Sequence, residues 1–597
     1  MTDDQDLHQN SLMAQPAVQR ELVGKGLTLE NHFVTVAQCC PSRTAYLRGQ
    51  AAHNTNLTHV FPPGGAFEKF VTSGQDQDYL PHWLTAANYN AEYYGKFMNG
   101  YSTATYNITP KGWTHTDILV NPYTYDLNNV VISRNGLRPT VYDGYHQSDI
   151  LRAISLNRLD YLTSQDKPFY IQIAPTAPHS GTSGPPEPCA RHVGRYANMS
   201  APRTPNFNPP DEFQSLKPSY LKDAPLLNST EIEYLDQNYR ARLESLLGVD
   251  EMVEDIIAKL EEKGVLDNTY IIYTSDNGWH EGQHRRIGGK CLPYVEDTNV
   301  PMIIRGPGVP VGARSKVPST HIDMAPTYLE IAGVRPADLP PFLDGRSLLQ
   351  EWKNGGIGNK PRENIAREVL NVEYWGMTQE GADSVFEIYP QNNSYKTVRI
   401  VGDTSAWLFS RWCTSNDTEL YNTIDDPYEL NNLAISPTEE NSRIISRLNG
   451  VLLITKSCSK DTCRNPWKLL ATDAEGDFTN LEEAMDSQYD SFFASLPSVG
   501  FQGCLSYQSV ENEIPFYPPE SSSLGREYRN DTNNFTAYYP LGERVPGNPE
   551  PMGTEEQRHS TFEEIMRAAR NVTDAEIGTS LPCNLPLYCA DLATGGG

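Results

Sequence analysis

No run of 18 apolar residues occurs in this 597-residue chain, so no transmembrane helix is indicated. Basic residues are scarce, 48 Lys and Arg against 75 Asp and Glu, and the formal net charge is −27. A surface this acidic repels nucleic acid and anionic lipid and favours solubility. No nucleic-acid partner is expected. His and Cys do not cluster at metal-ligand spacing, which argues against zinc. No internal repeat is found. The opening MTDDQDLHQN is polar and acidic, so no basic-then-apolar secretory leader is visible.

Core-forming residues are present in ordinary supply, 38% hydrophobic and 10% aromatic. The length suits two to four domains, or fewer if one is a large α/β unit. Asn-x-Ser/Thr acceptors stand at Asn56, Asn107, Asn198, Asn228, Asn392, Asn416, Asn530, Asn534 and Asn571. They point to a secreted glycoprotein, or one of the secretory pathway or vacuole, against the missing leader. Cys458 with Cys463, and Cys583 with Cys589, lie close together among turn residues and read as short-loop disulfides.

Helix and strand signals alternate through residues 1–365. A helix is expected from Pro81 to Asn88, a strand over Ala91–Tyr94, and a turn at Gly95-Lys96. The run after Lys167 reads as a strand over Phe169–Ala174 that breaks at Pro175 into a loop holding His179. Leu243, Leu246, Leu247, Val249, Val253, Ile256, Ile257 and Leu260 keep near-helical spacing, with Gly264 as the stop. The apolar run Tyr270–Tyr273 reads as a buried strand, and VPMIIRGPG repeats the pattern. The fold class is therefore α/β, a large mixed and mostly parallel sheet flanked by helices, with polar sites at strand C-termini. Residues 366–490 read as a smaller α+β domain. There SYKTVRIVGDTSAWLFSRWCT alternates like an antiparallel hairpin, and ELYNTIDDPYELNNL gives a turn and a short helix. Residues 491–597, rich in Pro, Ser, Asn and Tyr, read as an irregular wrapping extension.

The chemistry-bearing residues look ordinary one at a time. Asp3-Asp4 reads as a disordered terminal turn. Asp276-Asn277-Gly278 reads as a plain turn, since Asn-Gly is a strong turn former. A hairpin fits poorly there, because His280, Glu281, His284, Arg285, Arg286 and Lys290 crowd the residues that follow. Taken together, Asp3, Asp4, Asp276 and Asn277 offer four hard oxygen ligands suited to Ca²⁺ or Mg²⁺. Lys96, His179 and Lys290 each read as surface residues, yet all fall at expected strand ends or in the loops after them. Cations around a divalent metal make a site for a tetrahedral oxyanion ester.

The stretch CCPSRTAYLRG carries Cys-x-Pro-Ser-Arg-x-x-x-Leu-x-Gly on Cys39, Pro41, Ser42, Arg43, Leu47 and Gly49. This resembles the signature of the type I sulfatases, formylglycine-dependent members of the alkaline-phosphatase-like superfamily. TDDQD, YYGK, APHSG, DNGWHEGQHRRIGGK, VPMIIRGPGV and ELYNTIDDPYELNNL resemble the same family in the same order, so the likeness covers most of the chain. It looks nearest to fungal-type arylsulfatases and their relatives the glucosamine-6-sulfatases. The resemblance implies a sulfuric ester hydrolase acting on a small aryl sulfate or a sulfated sugar. It implies that Cys39 is converted to formylglycine by a formylglycine-generating enzyme. It implies Ca²⁺, with Mg²⁺ as the alternative, on Asp3, Asp4, Asp276 and Asn277. Arg43, Lys96, His179 and Lys290 would join Cys39 as the catalytic set. A phosphate or phosphonate ester hydrolase, and an inactive glycan- or metal-binding relative, stand as alternatives.

Two departures follow from the same resemblance. Many members carry His two residues after the Lys96 equivalent, where this chain has Met98 and then Asn99. That Lys-x-x-Asn form resembles the glucosamine-6-sulfatases. Members also carry a leader and an apolar first strand before the Asp-Asp pair. Met1 falls where that strand would end, so leader and strand are expected to be missing, with Asp3 and Asp4 on an end that frays.

Overall fold

The structure, a computed structural model, describes residues 1–182, 184–355, 367–376, 393–518 and 550–577. Two sheets carry the first part of the chain. In one, the strands Thr140–Tyr142, Val131–Arg134, His115–Leu119, Asn90–Gly95 and Phe169–Ala174 lie in that order, with Ala569–Asn571 outside Thr140–Tyr142. In the other the order is Ala313–Ser315, Leu27–Leu29, Met302–Arg305 and Ile271–Thr274. The edge strands Phe169–Ala174 and Ile271–Thr274 are bridged by the first residues. Met1 donates its amino group to Ile173 O at 2.9 Å, and Thr2 N donates to Thr274 O at 2.9 Å.

The mixed α/β class holds, but parallel pairing is less prevalent than expected. Asn90–Gly95 runs parallel to both neighbours. Ile271–Thr274 and Met302–Arg305 are antiparallel, as are the successive strands from His115 to Tyr142. Parallel strands need a long crossover, usually a helix. The link 275–301 holds only the four-residue helix Val295–Thr298, and the link 135–139 is a tight turn with Asn135 and Gly136 at positive φ, so both return the chain antiparallel.

The expected helices and strands near the site form within a residue or two, including Leu80–Ala86 and Phe169–Ala174. The longest helix, Ser229–Glu262, begins well before its apolar stripe. Asn228 caps it, accepting from Thr230 N and Glu231 N while Glu231 accepts from Asn228 N, a closed capping box.

Farther on, Val369–Tyr374, Tyr395–Ile400, Trp407–Trp412 and Thr418–Asn422 form an antiparallel sheet in chain order. The helix Glu439–Thr455 packs Leu448, Val451 and Leu452 against Val398, Phe409 and Leu420 in a core of their own. The short helix expected in ELYNTIDDPYELNNL does not form. The Asp426 carboxylate takes the N–H groups of Leu430 and Asn431, and Leu433 N returns to Leu420 O, so the donors a helix needs are committed elsewhere. The described tail is not wholly irregular: it holds the helices Glu555–Arg558 and Phe562–Ala568 and the edge strand Ala569–Asn571.

Cys458–Cys463 is a disulfide, and Cys413 pairs with Cys504. Cys583 and Cys589 lie outside the described residues, as do Asn392, Asn530 and Asn534. Asn107, Asn198, Asn228, Asn416 and Asn571 are exposed, whereas Asn56 is buried and offers no surface for a glycan. Among the described residues no helix is long and apolar enough to cross a membrane.

Candidate active site

Neighbouring chain segments deliver the polar residues to one place. Lys96 follows the strand ending at Gly95, His179 follows Phe169–Ala174, and Asp276 and Asn277 follow Ile271–Thr274. Asp3 and Asp4 follow the bridge that Thr2 makes to Ser275. These are C-terminal ends of adjacent parallel segments, where open α/β sheets leave a crevice. Gly95 has φ 105°, and a Cβ there would stand 2.1 Å from Ala174 O, so only glycine lets the chain turn Lys96 into the site. The end expected to fray is enclosed instead, with Asp3 and Asp4 fully buried. Asp3 N donates to Ala177 O, and Asp4 N to Asp276 Oδ1 at 3.0 Å.

The cysteine motif opens a buried helix, Cys39–Arg48, and each fixed position has a physical job. Cys39 is the first helical residue, at the end where free N–H groups concentrate positive potential. Pro41 sits in the first turn, where its missing N–H costs nothing. Ser42 Oγ donates to Asp276 O at 2.5 Å and lies 3.0 Å from His321 Nδ1, which ties the helix to the loop after Ile271–Thr274. Arg43 donates through Nε to Asp276 Oδ2 at 2.8 Å and through a terminal nitrogen to Lys96 O at 2.5 Å. Leu47 is core. Gly49 ends the helix at φ 65°, and a Cβ there would stand 2.7 Å from Leu343.

Around Cys39 the charges alternate. Lys290 Nζ is 2.8 Å from Cys39 Sγ and 2.5 Å from Asp4 Oδ1. Lys96 Nζ is 2.5 Å from Asp3 Oδ2, and Asp3 Oδ1 is 3.5 Å from Cys39 Sγ. His179 Nε2 is 3.5 Å from Asp4 Oδ2, while its Nδ1 is 2.8 Å from Ser180 O. Burial alone would raise the Asp3 and Asp4 carboxyls. The nearby cations, Lys96, His179 and Arg43 at Asp3 and Lys290 and His179 at Asp4, hold both below the ordinary value. Burial pushes the Cys39 thiol up despite Lys290 and Lys96, so it stays protonated at neutral pH and is a poor nucleophile.

The donor set fits a hard divalent cation. Asp3, Asp4, Cys39 and His179 each offer a ligand atom within 4.8 Å of the others. Asn277 adds a further oxygen, and Asn277 Oδ1 and Asp4 Oδ2 are both buried with no hydrogen-bond partner. Unpaired buried oxygens are costly, and a cation is the partner that satisfies several at once. Asn277 Nδ2 donates to Asp4 Oδ1 at 2.8 Å, so the pair is held side by side. Both oxygens of Asp276 already accept, from Arg43 and from Asp4 N, which fixes that carboxylate at the rim of the group.

All the expected site residues thus meet: Cys39, Arg43, Lys96, His179 and Lys290 with Asp3, Asp4, Asp276 and Asn277. Two participants went unnoticed in the sequence. Arg242 donates to Asp4 O at 2.6 Å and to Pro178 O at 3.1 Å, so it holds the Asp4 and His179 segments together. Its signal was a charge on the buried stripe of the long helix, beside Leu243 and Leu246. Tyr125 lies against His179 with its ring tilted, and nothing marked it among 33 tyrosines.

Buried carboxylates, the cationic Arg43, Lys96 and Lys290, and a cysteine at a helix start together make a place that suits a tetrahedral oxyanion ester. A family profile described as Sulfatase matches residues 1–334, and the chain belongs to that family. It is 38% identical over 541 residues to an arylsulfatase of Volvox carteri, covering 86% of this chain and 82% of that protein. It is 32% identical over 496 residues to the human N-acetylglucosamine-6-sulfatase, covering 78% of this chain and 85% of the relative. Its fold matches a solved structure described as in complex with its substrate D-glucosamine-2-N,6-O-disulfate. The TM-score is 0.59 at 23% identity, over 75% of this chain and 96% of the other.

Proposed function

We propose that the chain is an arylsulfatase, secreted or resident in the secretory pathway, that uses Cys39 as formylglycine and Ca²⁺ on Asp3, Asp4, Asp276 and Asn277. The carrying observation is the placement of Cys39 Sγ, 2.8 Å from Lys290 Nζ and facing Asp3 at a helix start. An atom there is in contact with both the cations and the oxygen ligands. As a thiol held protonated it has no use for that position; as a hydrated aldehyde it brings two hydroxyls to it.

One hydroxyl oxygen of the hydrate would attack sulfur, its proton passing to solvent, as the S–O bond to the alcohol or phenol breaks. The departing oxygen takes a proton from His179; burial lowers the pKa of that ring in spite of Asp4 and Asp3, which makes its protonated form a readier proton donor, and its two nitrogens face Ser180 O and the Asp4 carboxylate. The second hydroxyl would then pass its proton to His179, left neutral by the first step, as the C–O bond to sulfate breaks and the aldehyde returns. Lys290, 2.8 Å from Cys39 Sγ, and Lys96, paired with Asp3, would hold sulfate oxygens, and Arg43 would hold Asp276 and the Lys96 backbone in register. A bound divalent cation supplies charge stabilisation for the developing sulfate oxygens. Two disulfides suit the oxidising compartment in which the cysteine would be converted.

A glucosamine-6-sulfatase is the second reading, favoured by the Lys96-x-x-Asn99 form and by the relatives that bear that name. Mass spectrometry of the tryptic peptide containing Cys39, from secreted material, should show the aldehyde. The same sample should hydrolyse 4-nitrophenyl sulfate faster than glucosamine 6-sulfate, and 4-nitrophenyl phosphate slowest. An unmodified thiol with no turnover would defeat the proposal and leave a binding protein.

A further inference from the structure

Lys96 is followed by two side chains with different fates. Met98 is buried, with its sulfur 3.8 Å from Cys40 Sγ and 3.7 Å from Thr44 Oγ1, and serves the core. Asn99 meets Tyr125 instead, donating from Nδ2 to the phenol oxygen at 2.8 Å. Its backbone is fixed as well, since Asn99 O accepts from Phe67 N at 2.7 Å. Tyr125 lies half-buried in the loop after His115–Leu119. Its ring stands 4.5 Å from the His179 ring, tilted by 34°, and the Lys96 ammonium lies 4.7 Å from its centroid.

This arrangement leaves one group unused. The phenol oxygen accepts from Asn99, and no acceptor among the described residues takes its hydrogen. Burial, outweighing Lys96, pushes the Tyr125 pKa up to about 12, so the hydroxyl stays protonated at neutral pH and acts as a donor, not a base. An amide donating into a hydroxyl polarises it and strengthens its own donation.

We propose that the Tyr125 hydroxyl, held by Asn99, donates a hydrogen bond to the ester oxygen that leaves with the alcohol or phenol, beside the proton of His179. This rests on the sulfatase reading and adds a substrate-contacting residue to it. A donor aimed at an oxygen that gains negative charge in the transition state acts more strongly there than in the ground state. Its effect therefore grows with the basicity of the leaving oxygen. The Tyr125–Asn99 pair would extend the enzyme from activated aryl sulfates to alkyl and sugar sulfates, whose alkoxides leave poorly.

The test is a series of ring-substituted phenyl sulfates plus one alkyl sulfate, assayed with wild type, Tyr125→Phe and Asn99→Ala. All three are normalised to their aldehyde content at Cys39. Phe keeps the ring against His179 and removes only the hydroxyl. The alkyl sulfate should lose ~10–100-fold in kcat/KM, the worth of one hydrogen bond to a charged group. 4-Nitrophenyl sulfate should lose only ~2–3-fold, so the plot against leaving-group pKa steepens. Asn99→Ala should steepen it less, and it carries the test if the Phe variant fails to fold. Parallel lines, or no loss, would overturn the role of Tyr125 alone. Failure of the aldehyde-bearing wild type to turn over any sulfate would overturn the sulfatase reading beneath it.

Discussion

Two adjacent cysteines can have opposite fates because a helix start aims successive side chains in different directions. Cys39 meets Lys290 and Asp3, whereas Cys40 meets the Met98 sulfur at 3.8 Å. Burial pushes the Cys40 thiol up to about 11, so it is an inert packing group. Cys39→Ala should abolish turnover. Cys40→Ala should keep kcat/KM within ~2–3-fold and cost about 1 kcal/mol of stability, the usual size of a small core truncation. Assays of the two purified variants with 4-nitrophenyl sulfate, beside urea melts, separate these outcomes. Equal loss of activity in both would show that the register on the motif is wrong.

At the scale of the element, the helix Ser229–Glu262 does more than cover a sheet. Arg242 reaches from it to two backbone carbonyls, Asp4 O and Pro178 O, and Asp6 at 3.4 Å and Glu281 at 3.9 Å balance its charge. Its guanidinium also lies 4.8 Å from the Trp279 ring centroid. Two carbonyls at a fixed separation suit a planar fork, which an ammonium does not replace. If the proposed Ca²⁺ site is real, Arg242→Lys should weaken Ca²⁺ binding by ~10–100-fold, the range for residues that orient metal ligands, measured by calorimetric titration of the folded protein. Unchanged affinity in a folded variant would reduce Arg242 to packing. The same helix shows what the sequence carried and what it did not. Its apolar period marked the buried stripe, and Arg242 on that stripe was a visible anomaly. The site strands were visible as apolar runs ending in Lys96, His179 and Asp276. Strand direction was not, because a run such as Met302–Arg305, apolar on both faces, reads the same for either pairing. Tyr125 was not visible because its role arises only when Asn99, Lys96 and His179 fold around it.

Across the whole molecule, the C-terminal sheet is fastened to the catalytic part by buried ions as well as by apolar contact. Glu373 accepts from His53 N at 3.1 Å, lies 2.9 Å from His53 Nδ1, and pairs with Lys396 at 3.0 Å. Arg399 pairs with Glu429 at 2.6 Å, and Glu429 accepts from Val295 N. Burial would raise the Glu373 carboxyl, but His53 and Lys396 pull it down to about 2 from 4.5. A folded-state pKa below the unfolded one stabilises fully above the unfolded value, and that stabilisation is lost as pH falls toward the folded value. Glu373 should therefore contribute about 3 kcal/mol at neutral pH, fading between about pH 4.5 and about 2. Glu251 and Glu296 are also depressed to about 2 and fade in the same window, so the wild type should weaken steeply in acid. Glu373→Gln should lower stability at pH 7 by about 3 kcal/mol, because His53 and Lys396 lose this carboxylate, while Lys396 keeps Glu513 at 3.5 Å. Urea melts at intervals from pH 7 to pH 2.5 should show the gap between variant and wild type closing as the wild-type carboxylate protonates. A gap that stayed constant with pH would mean that Glu373 acts by shape and not by its charge.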